Sequence, residues 1–305
     1  MIHNFEQLLD LALSVPKKRV VVINPTNSET FSAILAAREI GLAGFTLVGD
    51  KKIIDAALSG KGAGGIEIID EPSVGGALRA AIGLIREGSG DILMKGSIDT
   101  ATMMKAVLEE QAGIRTGRLL SDIFLLEFPD RLESPFVMIT DGGMTLDPDL
   151  KNKVELIRNA VEVAHTLGNT NPKVAVLSAT EFVLPNLQST LDAAALSKMN
   201  DRGQIRGCIV DGPFALDNAI SAEAAAEKGI RSPVAGRAEI LIAANIESAN
   251  SLAKSTTYFA QLRLAHVIVG GRVPILIPSR SEKSDAKMHS VALGVIMSDR
   301  QQPSD

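Results

Sequence analysis

Short apolar runs rich in β-branched residues recur along the chain and alternate with longer Ala- and Leu-rich stretches of helical spacing. The runs are Arg19–Asn24, Phe45–Gly49, Ile66–Asp70 and Asp91–Lys95, then Phe136–Asp141, Lys173–Ser178, Arg206–Asp211, Glu239–Ala243 and Val273–Pro278. Continuous apolar runs this short suit strands covered on both faces, where neither row of side chains meets water. The stretches between them predict helices over Glu29–Ile40, Val74–Arg86, Thr100–Ala112, Asp149–Leu167, Leu187–Met199 and Glu247–Leu264. Ser28 and Asp50 stand where side chains cap helix N-termini, and Gly41 and Gly168 where helices stop. Strand–helix alternation predicts βαβ units and parallel sheets, with right-handed crossovers that bring the strand C-terminal ends to one rim.

Length and composition narrow the class. At roughly 150 residues per domain, 305 residues predict two domains. The pattern changes near Gly113–Gly117, from helical spacing to the run LLSDIFLLEF, without a Pro/Gly-rich linker. A hydrophobic fraction of 46% and a charged fraction of 22% exclude a wholly disordered chain. A net charge of −5 with no basic block argues against a nucleic-acid binder. Aromatics are 3%, which leaves few platforms for stacked bases. The single cysteine, Cys208, excludes an internal disulfide and a cysteine zinc cluster. Acidic residues interrupt the apolar N-terminus, and no run approaches the ~18 residues that span a bilayer. The expectation is a cytosolic protein with neither membrane nor nucleic acid as partner.

Ligands of open α/β sheets bind beyond the strand C-terminal ends. Those places hold Asn24-Pro25-Thr26, Lys95-Gly96-Ser97, Thr140-Asp141-Gly142-Gly143, Asp211-Gly212-Pro213 with Asp217-Asn218, Asn245-Ile246-Glu247 and Ser279-Arg280. Turn chemistry alone explains Gly, Asp and Asn there, but it does not demand a lysine and an arginine. Lys95-Gly96 reads as an approach to an anion or as a solvated turn. Ser279-Arg280 pairs a hydroxyl donor with a planar guanidinium, matching a carbonyl oxygen and a phosphate. Arg115-Thr116 with Arg118 reads as an anion clamp or as surface salt bridging. Asp141-Gly142-Gly143 suits a metal, a ribose or a turn, and Asp211 and Asp217 suit a base or a cap. His3, His165, His266 and His289 share no spacing and read as structural or exposed. The dinucleotide, P-loop, nucleophile-elbow and zinc-protease signatures are absent from the sequence. The glycine-rich run 60–65 precedes a strand and reads as a loop.

Taken together, these motifs resemble the phosphate acetyl/butyryltransferases, nearest the phosphate butyryltransferase branch. The resemblance rests on LMKGSIDTATMMKAVL (93–108), Gly113-Ile114-Arg115-Thr116, ITDGGMTLDPDLKNKVELIRNA (139–160), PKVAVLSATEFV (172–183), STLDAAALSKMNDRGQI (189–205), DGPFALDNAIS (211–221), SPVAGRAEILI (232–242), Ile246-Glu247 through Asn250, and VPILIPSR (273–280). It implies two α/β domains of the isocitrate/isopropylmalate dehydrogenase type with a cleft between them. The first, discontinuous domain would take residues 1–115 and 266–305, and the second residues 116–265. It also implies the reaction acyl-CoA + phosphate ⇌ acyl phosphate + CoA, with no metal, no tightly bound cofactor, and coenzyme A as substrate or product.

On that reading the catalytic candidates are Ser279, Arg280, Asp211 and Asp285. Ser279 would donate to the carbonyl oxygen as charge builds there, a role that contributes about 3 kcal/mol in such sites. Arg280 and Arg115 would orient phosphate, and Asp211 or Asp285 would act as base toward the CoA thiol. Lys95, Gly96, Arg115, Thr116, Asp141, Gly142, Gly143 and Asn250 are the substrate-binding candidates. The Ala- and Leu-rich helices 149–167 and 247–264 offer faces for a homo-oligomer or for ordinary core. The chain departs from the family pattern in three places. Ser281-Glu282-Lys283 replaces Ala-Asp-Ser, Thr145 replaces Asn, and Ala249 replaces Gly. Two rivals remain at this stage: a CoA-ester-binding module without turnover, and a metal- and NAD-dependent hydroxy-acid dehydrogenase of the same fold.

Overall fold

The computed structural model describes residues 1–62, 64–109, 113–131 and 135–300. It divides into two compact units. Unit I takes Phe5–Arg118 and Leu264–Asp305, and unit II takes Met1–Asn4 and Leu119–Arg263. Both are α/β, as the alternating pattern predicts. Among the described residues no helix is long and apolar enough to cross a membrane.

Unit I opens with α1 (Phe5–Ser14), β1 (Lys18–Ile23), α2 (Ser28–Glu39), β2 (Ala43–Gly49), α3 (Lys51–Leu58), β3 (Glu67–Asp70), α4 (Val74–Arg86), β4 (Ile92–Lys95) and α5 (Thr100–Val107). Unit II supplies β5 (Ser121–Glu127), β6 (Phe136–Thr140), α6 (Leu150–Thr166), β7 (Lys173–Leu177), α7 (Gln188–Asp201), β8 (Ile209–Phe214), α8 (Leu216–Ile220), α9 (Ala222–Glu227), β9 (Ile240–Ile242) and α10 (Ile246–Tyr258). The chain then returns to unit I with β10 (Leu264–Val269), β11 (Ile275–Leu276) and α11 (Ser284–Arg300).

The sheet of unit I runs β3-β2-β1-β4-β11-β10. Its register sets Ile23 beside both Val48 and Lys95, and Leu276 beside Met94. Asn24, Gly49, Gly96 and the residues after β11 therefore leave the sheet along one rim. β11 is cut to two residues because Pro274 and Pro278 bracket it and donate no N–H to a ladder. Helix α11 is buried on nearly all sides over its middle, where Val291, Leu293, Val295 and Ile296 lie beside buried Lys287, His289 and Ser290. A helix of that kind has no amphipathic stripe to mark it in the sequence.

In unit II the order is β5-β6-β9-β7-β8, and Thr140, Ile242 and Val176 lie level across three strands. Two strands correct the all-parallel expectation. β5 runs antiparallel to β6, and β10 antiparallel to β11. β10 is hidden in the sequence behind a helix expected to reach Leu264. Helix α10 instead stops at Tyr258, and Gln261 takes a left-handed φ of 53°. The β-branched run Val267-Ile268-Val269 is then free to pair.

Caps and ends shift similarly. Asn27 caps α2, with its side chain accepting from the Thr30 N–H at 3.1 Å, and Ser28 becomes the first helical residue. Asp50 caps α3. The helix expected over Thr100–Ala112 ends at Val107, and residues 110–112 lie outside the described residues. The glycine-rich loop is held by Arg38 Nη1, which donates to the Gly62 and Gly64 carbonyls; Ala63 lies outside the described residues.

Candidate functional site

In unit I the chemistry gathers where β1, β4 and β11 end. Asn24, at φ 47°, turns the chain after β1, and its Nδ2 donates to Ser97 O at 3.1 Å. The Gly96 and Ser97 N–H groups donate to Ile23 O and Asn24 O, each at 2.9 Å. A Cβ on Gly96 would stand 2.3 Å from Ile23 O, so only glycine fits this approach of two backbones. The adjacent Lys95 is 5% exposed, and its Nζ donates to Ile98 O at 3.3 Å. This is no solvated turn. Burial pushes the Lys95 ammonium below its usual value, with Arg280 adding to that, Glu282 opposing it and Lys287 adding again.

The residues after β11 form a closed turn. The Glu282 N–H donates to Ser279 O at 3.2 Å, and the Ser279 N–H donates to Glu282 Oε1 at 3.0 Å. Lys287 Nζ, on the first turn of α11, donates to Ser279 O at 2.9 Å and to Glu282 O at 2.6 Å. The Ser279 and Ser281 hydroxyls lie 3.1 Å apart. Ser279 is half-buried, whereas Arg280 and Asp285 are exposed. His266 Nε2, on β10, stands 3.5 Å from Glu282 Oε2. Burial works against charge on Glu282, but His266, the Ser279 N–H and Lys287 outweigh it and hold the carboxyl down at about 2. The Lys287 ammonium is lowered chiefly by burial, with Glu282 and Glu29 working against that. Three cations, Lys95, Arg280 and Lys287, thus gather around the Ser279 turn with Glu282 as the buried carboxylate among them, while Asp99 acts on Lys95 and Glu29 on Lys287.

Arg115 and Thr116 lie on the exposed loop after α5. That loop is tied to the β10–β11 connection through the Thr116 Oγ1–H to Gly270 O, 2.5 Å, and the Arg272 N–H to Ile114 O, 3.1 Å. The Thr116 hydroxyl is thereby engaged in holding the loop. Asp285 sits in the first turn of α11, where its Oδ1 accepts from the Ala286 N–H at 2.8 Å.

In unit II the β6 end is organised around Asp141, which is 3% exposed. Its Oδ1 accepts from the N–H groups of Asp122, Gly143 and Met144, each at 3.1 Å, and its Oδ2 from Thr145 N–H at 2.9 Å. Burial, reinforced by the neighbouring Asp122 carboxylate, raises Asp141 to about 6 against the pull of those N–H groups. The carboxylate faces into the loop and shapes it. Gly142 and Gly143 have no room for a side chain: a Cβ would stand 2.9 Å from Phe124 Cε2 and 2.5 Å from Asp122 Oδ2 respectively. Asn250 Nδ2, on α10, donates to Gly142 O at 2.9 Å. Asp141, Gly142, Gly143 and Asn250 are therefore one cluster.

Asp211 does not join them. β8 lies three strands from β6 in the sheet order, or roughly 14 Å at 4.8 Å per strand. The sequence places Asp211 just past its strand, but β8 continues through Asp211-Gly212-Pro213-Phe214, with an extra residue against β7. Asp211 Oδ1 accepts from Ser197 Oγ at 3.1 Å and from Gly212 N–H at 2.8 Å. Asp217 pairs with Lys228 at 3.2 Å.

The three departures are also placed. The Thr145 contribution is its backbone N–H, which any residue but proline provides. Ala249 lies buried within α10, where no left-handed conformation is required. Lys283 points its charge to solvent, while Ser281 and Glu282 enter the Ser279 turn. Lys287 and Asp122 escaped the sequence reading. Lys287 falls on a helix with no stripe, and Asp122 falls inside an apolar run. His266 read as structural, yet it abuts Glu282. Among the described residues, no group of three His, Cys, Asp or Glu side chains is arranged to hold a metal.

A family model described as phosphate acetyl/butaryl transferase matches residues 73–295. The chain belongs to this family. A phosphate butyryltransferase of Clostridium beijerinckii is 42% identical over 98% of this chain and 99% of its own length. A phosphate acetyltransferase of Thermotoga maritima is 47% identical over 75% of this chain and 77% of its own. The crystal structure of a branched-chain phosphotransacylase from Enterococcus faecalis superposes with a TM-score of 0.82 at 27% identity, covering 92% of this chain and 99% of that one. The protein is a phosphate acyltransferase. Its relatives carry transferase names, and neither the dehydrogenase nor the non-catalytic module is favoured. The Lys95–Ser279–Arg280 cluster and the Asp141 loop of the transferase both fall inside the matched span.

Proposed function

We propose that this transferase moves a short acyl group between coenzyme A and inorganic phosphate in the cytosol, and that it works as a homo-oligomer without a tightly bound cofactor. The observation that carries the reading is the gathering of three cations, two of them buried, around Ser279. Lys95 and Lys287 are buried, Arg280 stands beside them, and Glu282 is the buried carboxylate in their midst, with Asp99 acting on Lys95 and Glu29 on Lys287. A phosphate dianion compensates that charge. Arg280 and Arg115 would orient it in line with the thioester carbon, replacing solvent with fixed donors. As the phosphate oxygen attacks, charge moves to the carbonyl oxygen, and the Ser279 hydroxyl is the donor assigned to it. The Ser279 N–H is already taken by Glu282.

The tetrahedral intermediate then expels the CoA thiolate. In reverse, a base takes the thiol proton as sulfur attacks the acyl phosphate. Asp285 is the better candidate, because it follows Ser279 by one turn and a helix start, whereas Asp211 is engaged by Ser197 and Gly212. Asp141, Gly142, Gly143 and Asn250 form one loop cluster of unit II, and we assign it to substrate binding.

The deciding experiment follows release of free thiol from acetyl-, propionyl-, butyryl- and isobutyryl-CoA with and without phosphate. Release that requires phosphate is the expected result, and the ranking gives the acyl preference. Thiol release unaffected by phosphate would overturn the reading.

A further inference from the structure

Ser281-Glu282-Lys283 is where the chain leaves the family pattern it resembles, and Glu282 is the most densely connected group there. Its side chain is 8% exposed. One oxygen accepts the Ser279 N–H and the other faces His266. Its own N–H closes the turn on Ser279 O, and Lys287 bridges the Ser279 and Glu282 carbonyls. The backbone of Ser279 is thus held on both its N–H and its C=O by residues of its own turn and of α11. Five residues after Ser279 the same turn becomes a helix whose N-terminal residue, Ser284, donates its N–H to Glu29 Oε2 at 3.0 Å, so the turn is fixed at both ends. A peptide between a strand of two residues and a helix start has no ladder of its own to hold it. The Glu282 side chain supplies that ladder.

We propose that Glu282 is a positioning residue for the acyl transfer, which fixes the Ser279 hydroxyl and the Arg280 guanidinium by capturing the Ser279 N–H. The inference rests on the phosphate acyltransferase reading of this turn. Reach matters as much as charge. A glutamate extends from position 282 back to the N–H of position 279, and an aspartate is one methylene shorter. The capture also removes the Ser279 N–H from the donors open to a substrate, leaving the hydroxyl.

The discriminating pair is Glu282→Gln and Glu282→Asp in the full chain. Gln keeps the reach and one acceptor oxygen but loses the charge, and Asp keeps the charge but loses the reach. Capture of the N–H predicts kcat near wild type for Gln and a fall of ~10- to 100-fold for Asp, the scale of a misplaced catalytic group. The KM for acyl-CoA is expected to stay within twofold in both. A charge effect alone predicts the opposite order and overturns the inference, and so do equal losses in both variants. Amide exchange of the peptide 277–283 supplies a readout that needs no turnover. Protection retained in Gln and lost in Asp supports the capture, and equal protection in both overturns it. A wild-type protein with no phosphate-dependent thiol release would sink the transferase reading instead, and the exchange data would still decide whether Glu282 holds Ser279.

Discussion

Ser279 is a half-buried residue whose backbone N–H and C=O are both engaged and whose hydroxyl lies 3.1 Å from that of Ser281. Ser279→Ala removes a donor without opening a cavity, so we expect kcat to fall ~100-fold, the usual scale for one oxyanion donor. The melting temperature should move little. Unchanged turnover in a phosphate-release or thiol-release assay would remove Ser279 from the mechanism. Asp141 gives a second, opposite kind of prediction, because its raised value of about 6 makes its charge a cost to the fold. A raised carboxyl favours the folded state most when protonated. The Asp141 contribution is therefore complete below about 3.8 and is lost as pH rises to about 6. Asp141→Asn abolishes that dependence. Denaturant unfolding between pH 4 and 7 should show stability declining with pH more steeply in wild type than in the variant. Equal slopes would show that Asp141 does not carry the dependence.

At the scale of elements, the rim of unit I depends on how closely β1 and β4 end. Gly96 has Ile23 O where its Cβ would be, at 2.3 Å, and this contact is with backbone rather than a flexible side chain. Gly96→Ala must push the two strand ends apart. A cost of about 1–3 kcal/mol is expected from such overpacking, along with a several-fold higher KM for phosphate as Lys95 is displaced. A melting temperature within a degree of wild type would show that the strand ends part freely. The same scale explains what was legible in the sequence. The β1, β2, β4, β6, β7 and β9 runs were visible because both of their faces are buried. α10 was overextended because its last turn and the following Ala260-Gln261-Leu262 keep a helical composition until Gln261 turns left-handed. The rim residues Lys95, Ser279 and Arg280 were legible because a cation is unusual just past a strand. Glu282, His266 and Lys287 were not, since their meeting depends on β10 and α11, neither of which carried a pattern of its own. Asp141 was legible as a special residue, but the direction its carboxylate faces was not.

Over the whole molecule, unit I is built from both sides of unit II in the sequence. β10 and β11 are fully buried parts of unit I, and α11 is buried from His289 to Met297, so a chain ending at Arg263 would lack the neighbour of β4 and the packing of α1 and α2. We expect amide protection in β1 and β4 to be lost in that truncation. Retained protection would show that the first part of the unit folds without its return segment.

The interval between β4 and β11 also has a consequence in time. The 180 positions from Lys95 to Ile275 (275 − 95) must be synthesised before β4 gains its second neighbour. At 5–20 residues per second, that leaves the outer row of β4 N–H and C=O groups unpaired for roughly 10 to 40 s on each nascent chain. A bare strand edge of this kind pairs readily with other chains. Its brevity, four residues ending at Lys95, limits how much of that edge the newborn polypeptide offers to its neighbours on the same message.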